Sequence, residues 1–310
     1  MHFPDKLVTI PQVCYNKIYY RIIYYQHITR YIMELNFFEI LKVIFLGIVE
    51  GITEWLPVSS TGHMLLVDEF LQLNAGDAFK EMFFVVIQLG AIMAVVLIFW
   101  NKMWPFNFTD KKQPMIKTDI FSMWFKVVVA CIPGTIVTLL FDDYIEAHFK
   151  TPMVIAAALI FYGIVFILVE NSHKNKRPRV RKLADISYLD ALIIGMFQVL
   201  SIIPGTSRSG STIIGALLIG ISRVAAAEFT FFIAVPVMFG LSFIKILKFG
   251  FAFTSAELII LLIGCVVAFA VSMLVIKFLM SYIKKKDFKL FGWYRIILGV
   301  IVIIYFTIFA

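Results

Sequence analysis

Apolar runs near membrane-spanning length recur along this chain from about residue 37 to its end, and a helix that crosses a bilayer must satisfy its backbone polar groups within itself. With 61% hydrophobic and 15% charged residues over 310 positions, those runs exclude an ordinary soluble domain. The predicted fold class is an all-α polytopic membrane protein. Its formal charge of +8 comes from lysines and arginines concentrated in connecting loops, where they set orientation, so no nucleic-acid partner is expected. Cys14, Cys131 and Cys265 are too few and too scattered for a disulfide framework or a thiolate metal site.

Hydrophobicity marks ten segments, about 37–57, 64–73, 82–100, 121–141 and 152–170, then 189–203, 211–221, 224–244, 256–280 and 291–309. A helix needs about 20 residues to cross the hydrocarbon, so the segments at 64–73, 189–203 and 211–221 fall short. Each half therefore reads as one re-entrant hairpin followed by three transmembrane helices. Pro57 and Pro204 stand 147 positions apart (204 − 57), and so do Glu81 and Glu228 (228 − 81). The spacing predicts an internal duplication, repeat 1 about 35–170 and repeat 2 about 185–310, within one integral membrane domain over 33–310. Three crossings per half is an odd number, so the second copy is expected upside down, an inverted-topology repeat.

Basic residues concentrate in 101–120, 171–188 and 281–290, which places those loops in the cytoplasm, while 142–151, with Asp142, Asp143 and Glu146, goes outside. The first hairpin then enters from outside and the second from the cytoplasm, their tips meeting near the midplane. Residues 1–32 are basic, rich in tyrosine and without a signal-type apolar run; they read as an N-terminal extension or a start-site artefact.

Two polar islands interrupt the apolar pattern, Glu50-Gly-Ile-Thr-Glu54-Trp-Leu-Pro57-Val-Ser-Ser-Thr-Gly-His63 and Pro204-Gly-Thr-Ser-Arg208-Ser-Gly-Ser-Thr212. Ionisable groups at membrane depth are costly unless they face one another or a polar cavity, so the islands read as two halves of one buried site. Glu50 and Glu54, four apart on a helix, direct both carboxylates to one side, and a divalent cation, Mg²⁺ or Ca²⁺, is the expected neutraliser. Beyond Pro57, the hydroxyls of Ser59, Ser60 and Thr61, the backbone of Gly62 and the imidazole of His63 supply a nucleophile, N–H donors and a base or acid. In the second island Arg208 offers a planar fork for a phosphate, amid Gly205, Ser207, Ser209, Gly210 and Thr212, which permit close backbone approach or add hydroxyls. Gln88 and Gln198 sit inside apolar segments, as cavity lining or as interhelical hydrogen bonders.

Both islands, with Val85-Val-Ile-Gln-Leu-Gly90 between them, closely resemble the signature regions of the bacterial undecaprenyl-diphosphate phosphatases, also called bacitracin resistance proteins, over about 34–310. The resemblance implies a multi-pass enzyme of the cytoplasmic membrane that hydrolyses undecaprenyl diphosphate to undecaprenyl phosphate and inorganic phosphate. That reaction recycles the lipid carrier of peptidoglycan synthesis, confers bacitracin resistance, and leaves membrane lipids as the remaining partners. By matching positions it implies that Glu50 and Glu54 are the acidic pair, Ser60 and His63 the hydroxyl and imidazole, and Arg208 the phosphate-binding arginine. Ser60, Ser59 or water remains open as the nucleophile, and so does a homodimer. The competing reading is a lipid flippase or small-molecule transporter, since inverted repeats with broken helices are transporter architecture.

Overall fold

A computed structural model describes residues 36–108, 115–174 and 176–308; the extension expected over 1–32 lies outside the described residues. The first half contains α1 (Phe37–Thr53), α2 (Ser60–Phe70), α3 (Asp77–Ile98), α4 (Thr118–Phe149) and α5 (Pro152–His173). The second contains α6 (Tyr188–Val199, prolonged by a 3₁₀ turn at Leu200–Ile202), α7 (Arg208–Leu218), α8 (Arg223–Phe249), α9 (Ser255–Ile283) and α10 (Lys289–Ile308). Asn36 starts α1 by accepting the Glu39 N–H at 2.9 Å, and α1 ends at Thr53, whose carbonyl would need an N–H at Pro57 that proline lacks.

Six helices are long and apolar enough to cross a membrane: α3, α5, α8, α9, α10 and the Thr118–Phe141 part of α4. The eleven residues of α2 or α7 span only about 16 Å and cannot cross. Several boundaries differ from the hydropathy reading: α1 ends at Thr53, α2 and α7 start inside the polar islands at Ser60 and Arg208, and α8 runs on to Phe249. The helix α4 continues to Phe149 through the expected loop, since polarity alone does not break a helix, and the break comes at Thr151-Pro152, where the Thr151 hydroxyl accepts the Val154 N–H at 3.3 Å. The helix α3 begins at Asp77, its first turns held by buried Phe79 and Met82.

In the packed molecule α1 lies on α3 and α9, α6 on α4 and α7, α3 on α8, and α5 on α10. Lys102, just past α3, pairs with Glu228 near the start of α8 at 2.7 Å, while Lys245 near the end of α8 approaches Glu81 near the start of α3 at 3.9 Å. These reciprocal pairs make α3 and α8 antiparallel neighbours. Between α5 and α10, a Cβ on Gly163 would lie 2.7 Å from the Gly292 carbonyl oxygen, and one on Gly292 would lie 2.8 Å from that of Gly163, so this crossing requires glycine on both sides. Large apolar side chains such as Leu139 and Leu274 face outward from the long helices, as a bilayer-covered surface requires.

Candidate active site

The two short helices α2 and α7 begin in the same unusual way. Ser59 and Ser207 carry φ of 74° and 75°, the two non-glycine residues with positive φ among the described residues, and each is the N-cap of its helix. Their hydroxyls accept the N–H of Gly62 at 3.3 Å and of Gly210 at 3.1 Å. Left-handed backbone strains a serine by about 1–3 kcal/mol, a cost retained where surrounding structure fixes the turn. Ser60 and Arg208 thus hold the same first position of matching helices, and both line one cavity of about 370 Å³.

Glu54 joins the halves. It caps the C-terminus of α1 and is buried. One carboxylate oxygen accepts the Ser60 hydroxyl at 2.5 Å, and the other pairs with the Arg208 guanidinium. Its backbone carbonyl accepts the Ser209 hydroxyl at 3.4 Å. One turn earlier Glu50, 1% exposed, sets its carboxyl against that of Glu54 and leaves Oε1 buried without a partner.

Among the described residues no three acidic, histidine or cysteine side chains gather as a metal cluster. A divalent cation would have Glu50 and Glu54 as its protein ligands and would need phosphate or water oxygens to complete its shell. The orphaned Glu50 oxygen fits that arrangement.

The other residues singled out in the sequence fall into three groups. Thr61, Gly205, Ser207 and Ser209 line the cavity with Glu54, Ser60 and Arg208. Glu50, Ser59, Gly62, Gly210 and Thr212 stand behind that lining; the Thr212 hydroxyl bonds the Arg208 carbonyl at 3.0 Å and meets Thr230 at 2.9 Å, holding the first turn of α7 to α8. His63 has partners other than Ser60. Its Nδ1–H donates to the Ser59 carbonyl at 2.7 Å, which leaves Nε2 to accept the Tyr294 hydroxyl at 2.7 Å, and its ring borders a separate, wholly apolar groove. Gln88 and Gln198 both line the cavity, and the Oε1 of Gln198 is buried without a partner. Exposed Leu139, Leu241 and Ile244 complete the wall, so the cavity runs from polar tips to lipid-facing surface.

Two residues outside the islands belong to this neighbourhood. Tyr294 and Arg295, adjacent on α10, reach His63 in the first turn of α2 and the turns before α2 and α7 at Pro57 and Gly205. The sequence signal for Arg295 is an arginine inside the apolar run from 291, which at membrane depth marks a structural or functional demand.

The model of the family described as Bacitracin resistance protein BacA matches residues 43–301. An undecaprenyl-diphosphatase of Enterococcus faecalis is 71% identical over 272 residues, covering 88% of this chain and 99% of the relative. Undecaprenyl-diphosphatases of Lachnoclostridium phytofermentans and Desulfitobacterium hafniense are each 62% identical, over 274 and 270 residues, with 88% and 87% of this chain and 99% and 96% of the relatives covered.

Proposed function

Because this chain belongs to the bacitracin resistance protein family, we infer that it is a membrane phosphatase hydrolysing undecaprenyl diphosphate to undecaprenyl phosphate and inorganic phosphate. The observation that carries the chemistry is the convergence of Ser60 from one hairpin and Arg208 from the other on the single carboxylate of Glu54.

In the proposed mechanism, the diphosphate displaces Glu54 from Arg208, whose fork then binds two oxygens of the terminal phosphoryl. Glu54 takes the proton of Ser60 as its Oγ attacks the terminal phosphorus. The bond from phosphorus to the bridging oxygen breaks, and undecaprenyl phosphate leaves as an anion. Glu54 then releases that proton to solvent through the cavity it lines. Ionised again, it takes a proton from the water that attacks the phosphoserine and returns it to the Ser60 oxygen as inorganic phosphate departs. Free N–H groups in the first turns of α2 and α7 stabilise negative charge on the phosphoryl. We place a divalent cation at Glu50 and Glu54, where it supplies charge neutralisation for phosphate oxygens when bound. His63 serves here as a brace between Ser59 and Tyr294, and Glu54 as the base, because Glu54 is the group that holds the Ser60 proton.

Several observations support an inverted repeat with re-entrant hairpins. The strained caps Ser59 and Ser207 match, the ion pairs across α3 and α8 are reciprocal, and the two hairpin arms α1 and α6 lie on α9 and α4, their expected counterparts. With the basic loops in the cytoplasm, Leu139 lies 21 residues (139 − 118) along α4 and Leu241 18 residues (241 − 223) along α8, about 27–32 Å from the inner end. The cavity they line then belongs to the outer half of the cytoplasmic membrane. A carrier or flippase needs no carboxylate bonded to a buried hydroxyl, so the Ser60–Glu54 contact favours hydrolysis over transport.

The test is phosphate release from a long-chain polyprenyl diphosphate by purified protein, with and without divalent cation, beside Arg208→Ala and Glu54→Ala. The expected result is cation-dependent release lost in both variants; no release by well-folded protein would refute the phosphatase.

A further inference from the structure

Arg295 is fully buried, and the hydrogen bonds of its guanidinium go to backbone carbonyls. Nη1 donates to Pro57 at 3.1 Å, while Nη2 donates to Gly205 at 2.8 Å and Thr206 at 2.9 Å. Nε reaches Leu159 on α5 at 3.4 Å. The pattern is two-fold in a specific way. Pro57 lies two residues before the strained cap Ser59, and Gly205 lies two residues before the strained cap Ser207, so one planar fork grips the equivalent carbonyl of each tip.

A buried charge persists only where it is fully hydrogen-bonded, and a carbonyl loses that partner entirely if the arginine is removed. Holding both carbonyls fixes the peptide planes that lead into the two left-handed caps, and those caps set where Ser60 and Arg208 begin their helices. The guanidinium also sits close beneath α7, since a Cβ on Gly210 would come 3.2 Å from Nη1. The neighbouring Tyr294 braces the first tip through His63, so α10 supports the site at consecutive residues.

The structure assigns Arg295 as a positioning residue that locks the two hairpin tips in register, so that the Ser60 hydroxyl and the Arg208 fork converge on one phosphoryl group. This rests on the phosphatase reading for its catalytic consequence but not for the geometry. Lysine keeps the charge but offers one nitrogen in place of a spread fork, so Arg295→Lys holds one tip and releases the other.

The experiment compares Arg295→Lys and Arg295→Ala with the unaltered protein in nanodiscs. It measures kcat and KM for a polyprenyl diphosphate, rescue by guanidinium, and the distance distribution between nitroxides on Thr61 and Ser201, which line the cavity from the two tips. Arg223→Lys is the control, an arginine paired with Glu170 eleven residues (170 − 159) beyond Leu159 on α5. A misplacement of about 1 Å is expected to lower kcat by about 100-fold in Arg295→Lys with KM changed less than about threefold. The nitroxide distribution broadens in the same variant. Guanidinium, and not ammonium, restores part of the activity of Arg295→Ala, while Arg223→Lys keeps its kcat. Unchanged kcat and distances in Arg295→Lys would overturn the assignment, as would an equal loss of kcat in Arg223→Lys. If the unaltered protein hydrolyses nothing yet the distribution still broadens, the phosphatase reading fails and the positioning role stands.

Discussion

Glu54→Gln and Ser60→Ala, made separately and together, probe whether these residues act as one device. The Ser60 hydroxyl donates to Glu54 at 2.5 Å, a charge-assisted bond worth about 1.5–3 kcal/mol. Glutamine retains the shape and one acceptor but cannot take the proton. Loss of a positioned base costs about 10²–10⁴ in rate, or about 3–5 kcal/mol of barrier. Ser60→Ala removes the proposed nucleophile and is expected to cost a similar factor, leaving only what the Arg208 fork and backbone donors supply to an attacking water.

If serine and base work in the same step, the double variant falls little below the worse single one, whereas independent contributions would multiply to about 10⁶. Stability must be tracked alongside, since Glu54→Gln strips Arg208 of its counter-charge. A fully buried pair broken in this way costs about 3–5 kcal/mol, but Arg208 lines the cavity with 15% of its side chain exposed, so the shift is expected below that range. The assay is phosphate release under saturating substrate, with melting temperature as the control. Costs that multiply in the double variant, with folding intact, would refute the coupled Ser60–Glu54 mechanism.

Three further outcomes follow from the same geometry. Glu50→Gln is expected to raise the divalent cation concentration for half-maximal activity by tenfold or more, about 1.4 kcal/mol or greater, with little change in melting temperature; a metal titration reads it directly. Gly205→Ala is expected to lower stability by about 1–3 kcal/mol and to reduce activity, because φ there is 90° and the new Cβ would lie 2.7 Å from the Ile155 carbonyl oxygen; denaturant or thermal unfolding measures the first and phosphate release the second. Tyr294→Phe and His63→Gln are expected to show coupled losses of about 1 kcal/mol in stability, since they share one hydrogen bond, and a double-mutant cycle with no coupling would contradict the brace.

Much of this architecture is carried by patterns a one-dimensional reading can detect. The six long helices follow from runs of apolar residues, and the short arms α2 and α7 from runs too brief to span. Glu54, Ser60 and Arg208 stand out because charge and hydroxyls are costly in an apolar segment, and the structure brings them together. What spacing could not show is which side of a short helix each group faces. His63 lies three residues from Ser60 in sequence, yet its ring nitrogens are engaged by the Ser59 carbonyl and by Tyr294, which comes from the far end of the chain. Likewise the carbonyl demand that Arg295 meets exists only after both tips have turned at their strained serines, and backbone φ leaves no mark in composition. The end of α4 was hidden for a different reason: solvent-loving residues signal emergence from the bilayer, not the end of a helix.

The central claim is that a serine at one hairpin tip is phosphorylated while the arginine at the other holds the phosphoryl group. Rapid acid quenching of the protein, mixed with polyprenyl diphosphate labelled on its terminal phosphorus, tests it most directly. The account predicts transient label on the Ser60 side chain within one turnover, absent from Ser60→Ala and strongly reduced in Arg208→Ala. Full turnover by the unaltered protein with no labelled serine at any quench time, together with substantial activity in Ser60→Ala, would contradict it.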